Sequence, residues 1–253
     1  MVNNKNNERR KTEDIVIEKP TVSFCDRVSV LLAGFQLSDI FSTKNHSDDF
    51  NDTRAYFILG RLKLMAYAFA ILVPLSFVVD VMLLEKSQME IMFYLRIILA
   101  ASLVFLAFLC KKKTTPVALN YLLPAGFLLP VIFYALTQLV LSEQNNELEL
   151  AGYSFMPYLM VAMLALFPLT ISYSFIIISI IFVPFLGVEI YLGQLLTLST
   201  FNKIWAFSMF AGVTLWLQTG QLLMLLKLYR ESTLDLLTGL INRRVLMKRL
   251  DKE

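Results

Sequence analysis

Long, nearly uninterrupted apolar runs constrain this chain more than any other feature of its sequence. Several of them reach the roughly 20 residues that an α-helix needs to cross a hydrocarbon core of about 30 Å. Hydrophobic residues make up 57% of the 253 residues. Because lipid offers the backbone no hydrogen-bond partners, such runs are expected to form helices. The sequence therefore argues against a soluble globular domain and predicts an all-α membrane protein.

The apolar runs divide into six predicted transmembrane helices. They cover residues about 60–84, 91–110, 116–141, 151–170, 172–192 and 203–227. The boundary between the fourth and fifth spans is the least distinct, because only a short, mildly polar turn around Pro168 separates them. Proline removes a backbone donor and suits a bend at that point.

The short loops predict the orientation of these helices. Basic residues gather at one membrane face: Arg61, Lys63, Lys111, Lys112, Lys113, Lys227 and Arg230. The loops at the other face are acidic, with Lys86 and Lys203 as their basic residues. Since cytoplasmic loops carry the excess of Lys and Arg, both termini are expected in the cytoplasm.

Three regions follow from this topology. Residues 1–58 form a cytoplasmic segment that is expected to be partly disordered. Within it, residues 22–41 have roughly helical apolar spacing, which suits either an amphipathic helix on the membrane face or a helix packed on the bundle or a partner chain. Residues 59–229 form the six-helix transmembrane domain, and residues 230–253 form a stalk with the start of a further domain.

Four polar side chains fall inside predicted spans near the outer face. They are Asp80, Arg96, Gln138 and Glu189. Asp80 and Arg96 lie at matching depth on consecutive antiparallel helices, so we expect them to form an ion pair. Ionisable groups in a membrane are costly and suggest function. Two interpretations remain open: a ligand-binding pocket open to the outside, or a clasp between helices with side chains that reach the interface.

Counting residues excludes several cofactor sites. The chain has a single histidine, His46, which precludes haem held by paired histidines. Its two cysteines, Cys25 and Cys110, form neither a disulfide framework nor a metal-ligand cluster. The basic residues sit at membrane edges rather than along one stripe, so no nucleic-acid partner is expected. We therefore expect no metal and no cofactor in this chain.

The last span is predicted to continue beyond the membrane. No proline occurs from Phe201 through Ser232, so one helix of about 45 Å is expected. Along it, Leu215, Leu222, Leu225 and Tyr229 approximate a coiled-coil seam that Gln218 interrupts. The same pattern also fits ordinary packing of an apolar helix.

A motif stands directly behind this helix, with the sequence Asp-Leu-Leu-Thr-Gly-Leu-Ile-Asn-Arg-Arg over residues 235–244. It resembles the opening motif of the GGDEF family, the diguanylate cyclases, which reads D-x-L-T-G-L-x-N-R-R. The fixed positions are filled by Asp235, Leu237, Thr238, Gly239, Leu240, Asn242, Arg243 and Arg244. The resemblance covers about a twentieth of the chain.

The resemblance implies a function and a location. It implies a sensory and dimerisation module in a bacterial inner membrane, similar in architecture to the MASE-type sensors, that controls cyclic di-GMP synthesis. GTP and Mg²⁺ would bind only in the catalytic domain downstream of the motif, so we expect no catalytic residue here and a structural or regulatory role for the motif. Two copies must meet to condense two GTP molecules, which implies a homodimer. The signal would be a small molecule or a property of the bilayer.

Three other interpretations compete with this one. A small polytopic transporter would have broken helices and polar groups near the midplane, commonly in two similar halves. No such repeat is visible in the sequence. A membrane enzyme acting on lipid would need a catalytic cluster at the interface, and the scattered acids offer none. A stand-alone membrane regulator without cyclase output also fits the apolar spans.

Overall fold

The computed structural model describes residues 40–43, 46–84, 86–112, 115–142 and 152–233. These ranges are helical and contain no strand. The helices are α1 (Asp48–Leu75), α2 (Phe77–Leu83), α3 (Lys86–Lys112), α4 (Pro116–Leu141), α5 (Met156–Leu164), α6 (Ile171–Tyr191) and α7 (Leu198–Thr233). Cys25, most of the predicted helix at 22–41, and the motif Asp235–Arg244 lie outside the described residues.

Five helical stretches are long and apolar enough to cross a membrane. They are α1 with α2, α3, α4, α6 and α7. Large apolar side chains also point outward from the described bundle, among them Leu64, Val183 and Trp216. An apolar outer surface of this kind matches a lipid environment. The all-helical, membrane-embedded class predicted from the sequence is therefore confirmed.

The fourth predicted span, residues 151–170, is shorter in the structure than the sequence suggests. Helix α5 has 9 residues and ends at Leu164. Even with the helical turn from Gly152 it measures about 20 Å, against a hydrocarbon core of about 30 Å. The chain then turns through Pro168 before α6 begins at Ile171. Six full-length spans are thus not confirmed by helix length.

Helix α1 begins well before the predicted start near residue 60. Ser47 caps it, because the Ser47 side chain accepts a hydrogen bond from the backbone N–H of Phe50 at 3.3 Å. Asp48 and Asp49 in the first turn complement the positive end of the helix. Part of the predicted N-terminal segment therefore belongs to the helical bundle.

The core forms where α4 packs against α1 and α3. Gly126 of α4 permits a close approach, since a Cβ atom there would lie 2.8 Å from Cδ1 of Leu62 and 3.3 Å from Cδ2 of Leu106. Leu62 and Leu106 are themselves buried. Side chains from α1 and α3 thus meet at a position of α4 that lacks a side chain.

Helix α7 is continuous for 36 residues, or about 54 Å. It begins slightly before the predicted range and passes through Gly212 and Gly220 without interruption. The predicted coiled-coil seam does not form a free face, because Gln218 and Leu222 are only 1% and 0% exposed within the chain's own bundle. Near its end, the ring of Tyr229 lies 5.2 Å from that of Phe50 in the first turn of α1.

Candidate functional site

An interruption between α1 and α2 prepares a polar cluster inside the bundle. Pro74 lies in the last turn of α1, and the helix stops before Ser76 and restarts at Phe77. Proline disrupts the helical hydrogen-bond ladder, which leaves carbonyl groups to other partners. The Val73 carbonyl, next to this break, accepts hydrogen bonds from side chains instead: Ser76 Oγ lies 2.8 Å from it.

Arg96 of α3 pairs with Asp80 of α2, as the sequence predicted. The guanidinium Nε and Nη2 atoms donate to Asp80 Oδ2 and Oδ1 at 2.6 and 2.8 Å. This is the bidentate geometry that makes an arginine–carboxylate pair strong. The Arg96 and Asp80 residues are only 6% and 3% exposed. The pair therefore joins two consecutive helices away from water.

The remaining donors of Arg96 are also occupied. Nη2 donates to the Tyr153 hydroxyl at 2.7 Å, and Nη1 donates to the Val73 carbonyl at 2.9 Å and to the Ser76 hydroxyl. A guanidinium carries five N–H donors, and these contacts use all five. Since no donor is left for a ligand, the arrangement supports the interpretation of Arg96 as a clasp between helices.

Tyr153 brings a third part of the chain to this cluster. It lies in the helical turn that precedes α5, and its hydroxyl accepts from Arg96 and donates to Asp80 Oδ1. The Arg96 guanidinium carbon also lies 5.7 Å from the centre of the Tyr153 ring. Sequence analysis missed Tyr153, because it sits near the end of a predicted span where aromatic residues are common.

A cavity of about 380 Å³ adjoins the cluster. It is lined by Phe69, Leu72, Val73, Ser76, Val79, Asp80, Leu84, Arg96, Phe133, Gly152, Tyr153, Met156 and Leu159. Its polar side chains are those of the cluster, and the rest of its lining is mostly apolar. A second, apolar cavity of about 50 Å³ shares the lining residues Phe69, Val73, Met156 and Leu159 with it. The pair of cavities suits an apolar or amphipathic molecule rather than a polar one.

Glu189 and Gln138 do not join this cluster, although the sequence placed all four residues in one layer. Neither of these two described residues lines the cavity. Glu189 instead accepts from Lys203 Nζ at 2.8 Å and from the Thr200 hydroxyl at 2.7 Å, which ties the end of α6 to the start of α7. Gln138 is buried, and its Nε2 atom has no hydrogen-bond partner in the described part of the chain. Matching depth along the helices did not determine which faces meet.

The C-terminal end of α5 is held by side chains of α7 and α1. Thr214 Oγ1 donates to the Val161 carbonyl at 3.0 Å, Gln218 Nε2 to Leu164 at 2.7 Å and Gln221 Nε2 to Ala165 at 2.9 Å. Arg61 Nη1 donates to the Leu166 carbonyl and to Gln221 Oε1. The last carbonyls of a helix have no partner within the helix, and lipid offers none. The short helix α5 is therefore anchored to α7.

A signal for this anchor existed in the sequence. Thr214, Gln218 and Gln221 follow one another at spacings of four and three residues, so they occupy one face of an otherwise apolar helix. We interpreted Gln218 only as an interruption of an apolar seam. The partners could not be predicted, because they are backbone carbonyls exposed by the unforeseen early end of α5.

The described residues contain no group of three or more His, Cys, Asp or Glu side chains that could hold a metal ion. The chain matches no protein-family model, no curated protein and no solved structure. The resemblance of residues 235–244 to the GGDEF family therefore stays a prediction from the sequence.

Proposed function

We propose that this chain is a membrane-embedded sensory and dimerisation module that controls a diguanylate cyclase, which makes cyclic di-GMP from GTP. The observation that carries the proposal is the continuity of α7. This helix spans 36 residues without a break and ends at Thr233, just before the GGDEF-like motif begins at Asp235. A rigid helix that connects a membrane bundle to a catalytic domain can transmit displacement between them.

The contacts of α5 supply a route from the cavity to that helix. Its N-terminal side presents Tyr153 and Met156 to the cavity, and its C-terminal carbonyls are bonded to Thr214, Gln218 and Gln221 of α7. A helix bonded at both ends moves largely as a unit. A molecule that enters the cavity and displaces Tyr153 would therefore shift α5 and, through it, α7. The signal in this proposal is an apolar or amphipathic molecule from the bilayer or its outer surface.

The same contacts support a six-crossing topology with both termini in the cytoplasm. Helix α5 runs from the level of Arg96, near the outer end of α3, to the level of Arg61, near the inner end of the first apolar run. Despite its short length, α5 thus connects the outer and inner levels of the bundle. The carbonyl groups at its C-terminal end accept hydrogen bonds from neighbouring side chains instead of water. With α5 counted as a crossing, the number of crossings is even, which supports our proposal that both termini lie on the cytoplasmic side of a bacterial inner membrane, with the basic loops.

Dimerisation in this proposal uses an outward stripe of α7. Val213, Leu217, Gly220 and Met224 recur at spacings of three and four residues, and all four are exposed. No side chain of the described residues lies within 4 Å of a Cβ atom built on Gly220, so a second helix can approach closely there. This stripe replaces the seam through Leu222, which is already buried within the chain.

The test is a fusion of this chain, through its motif, to the catalytic domain of an active GGDEF-family cyclase. Cyclic di-GMP is measured in cells that lack other cyclases. Tyr153→Phe removes the hydroxyl that bridges Arg96 and Asp80 but keeps the ring, and Gln218→Leu removes one bond between α7 and α5. Each is expected to change cyclic di-GMP about two- to tenfold, the equilibrium shift that corresponds to one hydrogen bond.

Tyr94→Phe serves as the matched control for Tyr153→Phe, because Tyr94 is exposed on the outside of α3. It should leave cyclic di-GMP unchanged. Equal output from the parent fusion and all three variants, at equal membrane levels, would contradict a sensory role for the cavity and for α5.

A further inference from the structure

A third cavity, of about 190 Å³, lies among the N-terminal parts of α1, α4 and α6. Arg54 of α1 lines it, together with Thr43, Asn120, Thr170, Ser172 and Tyr173. It shares no lining residue with the cavity of about 380 Å³ beside Arg96 and Tyr153. No carboxylate is present in the described lining. The cavity is thus positively charged and lined with small polar groups.

Arg54 is a buried cation whose hydrogen-bonding capacity is only partly used by the described residues. It is 8% exposed, and its Nε and Nη1 atoms have no hydrogen-bond partner within the described chain. A buried charge is retained in proteins when it is paired or hydrogen-bonded. Arg96, buried to the same degree, has all five donors occupied. The contrast indicates that the Arg54 guanidinium can bind a group from outside the described residues.

The surroundings of Arg54 favour an anion as that partner. The cavity is lined by the first turn of α6, whose N-cap residue Thr170 makes no side-chain hydrogen bond to the helix. The first N–H groups of a helix have no intrahelical acceptors, and the helix dipole places partial positive charge at that end. The guanidinium of Arg54 and the N-terminus of α6, a helix of 21 residues, therefore both face one small cavity.

We propose that this cavity binds a phosphate group, with Arg54 as the main contact. A phosphate oxyanion accepts two parallel hydrogen bonds from a guanidinium and further ones from backbone N–H groups. Arg54 precedes the apolar run that starts near residue 60, so it lies at the level of lipid headgroups on the side of Lys111 and Lys112. The phosphate belongs either to an anionic lipid headgroup or to a soluble phosphate ester. The inference does not depend on the proposed link to a cyclase.

The test uses the full chain purified in a neutral, phosphate-free detergent. Thermal unfolding is followed during titration with inorganic phosphate, with glycerol phosphate and with short-chain phosphatidylglycerol, and short-chain phosphatidylcholine provides a zwitterionic comparison. At least one of the three anionic probes is expected to raise the unfolding temperature in a saturable way. Arg54→Gln should weaken its apparent affinity about tenfold or more, since a hydrogen-bonded charge is lost.

Lys112→Gln is the matched control. Lys112 is an exposed cation at the same end of the bundle, so its loss changes general attraction to anions without altering the cavity. Its affinity should stay within about twofold of the wild type. Binding of the soluble phosphates indicates a soluble ester as the natural ligand, whereas binding of phosphatidylglycerol alone indicates a lipid headgroup.

A second measurement, on the wild-type chain alone, tests the proposal even if Arg54→Gln does not fold. Native mass spectrometry of the wild-type chain, incubated with each anionic probe in turn, should detect a bound adduct of at least one of them and none of phosphatidylcholine. Absence of such an adduct together with no thermal response to any anionic probe would overturn the proposal. An equal response from the wild type and Arg54→Gln would overturn it as well.

Discussion

Arg54 and Arg96 are both buried arginines, yet their environments assign them different roles. Arg96 gives every N–H to Asp80, Tyr153, Ser76 and the Val73 carbonyl. The Nε and Nη1 donors of Arg54 have no partner among the described residues. For Arg96, the cost of removing a charge from water is offset by hydrogen bonds within the chain. Replacing Arg96 should therefore lower the free energy of unfolding.

Arg96→Leu is expected to destabilise the bundle by about 3–5 kcal/mol, because it leaves the Asp80 carboxylate buried without a counterion. Asp80→Leu combined with Arg96→Leu should recover part of that loss, since no charge then stays buried. The free energy of unfolding can be measured in mixed micelles with increasing SDS. Ile98→Leu, at an exposed position on the same helix, should change it little. If Arg96→Leu alone were as stable as Ile98→Leu, the Asp80–Arg96 pair could not be a buried pair that stabilises the bundle.

The Asp80–Arg96 ion pair could be predicted from the sequence, but the other hydrogen-bond partners of Arg96 could not. Matching depth on adjacent antiparallel helices sufficed for the pair. Tyr153 and the Val73 carbonyl could not be predicted, since one depends on how a distant turn folds back and the other on the break at Ser76. Arg54 falls in the segment predicted to be cytoplasmic, and its burial could not be predicted because it arises only from the packing of α4 and α6 around α1.

At the scale of elements, the apolar runs predicted helices well and their ends less well. The limits of α4 agree with the predicted span 116–141, and its start coincides with local signals, since Thr115 caps the helix and Pro116 occupies its first turn. Helix α5 ended early because Thr214, Gln218 and Gln221 satisfy its carbonyls from another helix. That compensation is tertiary, and hydropathy does not reveal it.

The packing of α4 on α1 and α3 gives a prediction for Gly126. Gly126→Val places a branched side chain where even a Cβ atom lies 2.8 Å from Leu62. Overpacking of this kind costs about 1–3 kcal/mol. The matched control is Gly187→Val on α6, where no neighbouring atom of the described residues lies within 4 Å of the added Cβ. Unfolding in mixed micelles should separate the two variants, and equal stability would show that α4 does not rely on close approach at Gly126.

At the scale of the whole molecule, α7 has two faces with different partners. Thr214, Gln218 and Leu222 lie buried against the bundle. The opposite stripe of Val213, Leu217, Gly220 and Met224 is exposed and apolar. Lipid can cover this stripe, but in the proposed sensor α7 would bring two cyclase domains together and would therefore need a partner helix along its length. A dimer through this stripe would leave the contacts between α5 and α7 intact. A displacement of α5 could therefore be transmitted through α7 to the dimer interface on its other face.

The outward stripe of α7 therefore predicts a specific effect on dimerisation. Gly220→Ile fits the single chain, because no neighbouring atom of the described residues lies within 4 Å of its Cβ position. It should, however, separate two helices that pack closely there. The dimer dissociation constant, measured by energy transfer between labelled chains in vesicles, is expected to rise about tenfold. Gly187→Ile, equally exposed and open on α6, should leave it unchanged. Equal dimerisation of both variants would place the interface elsewhere, and loss of dimerisation in both would indicate a general effect of added bulk.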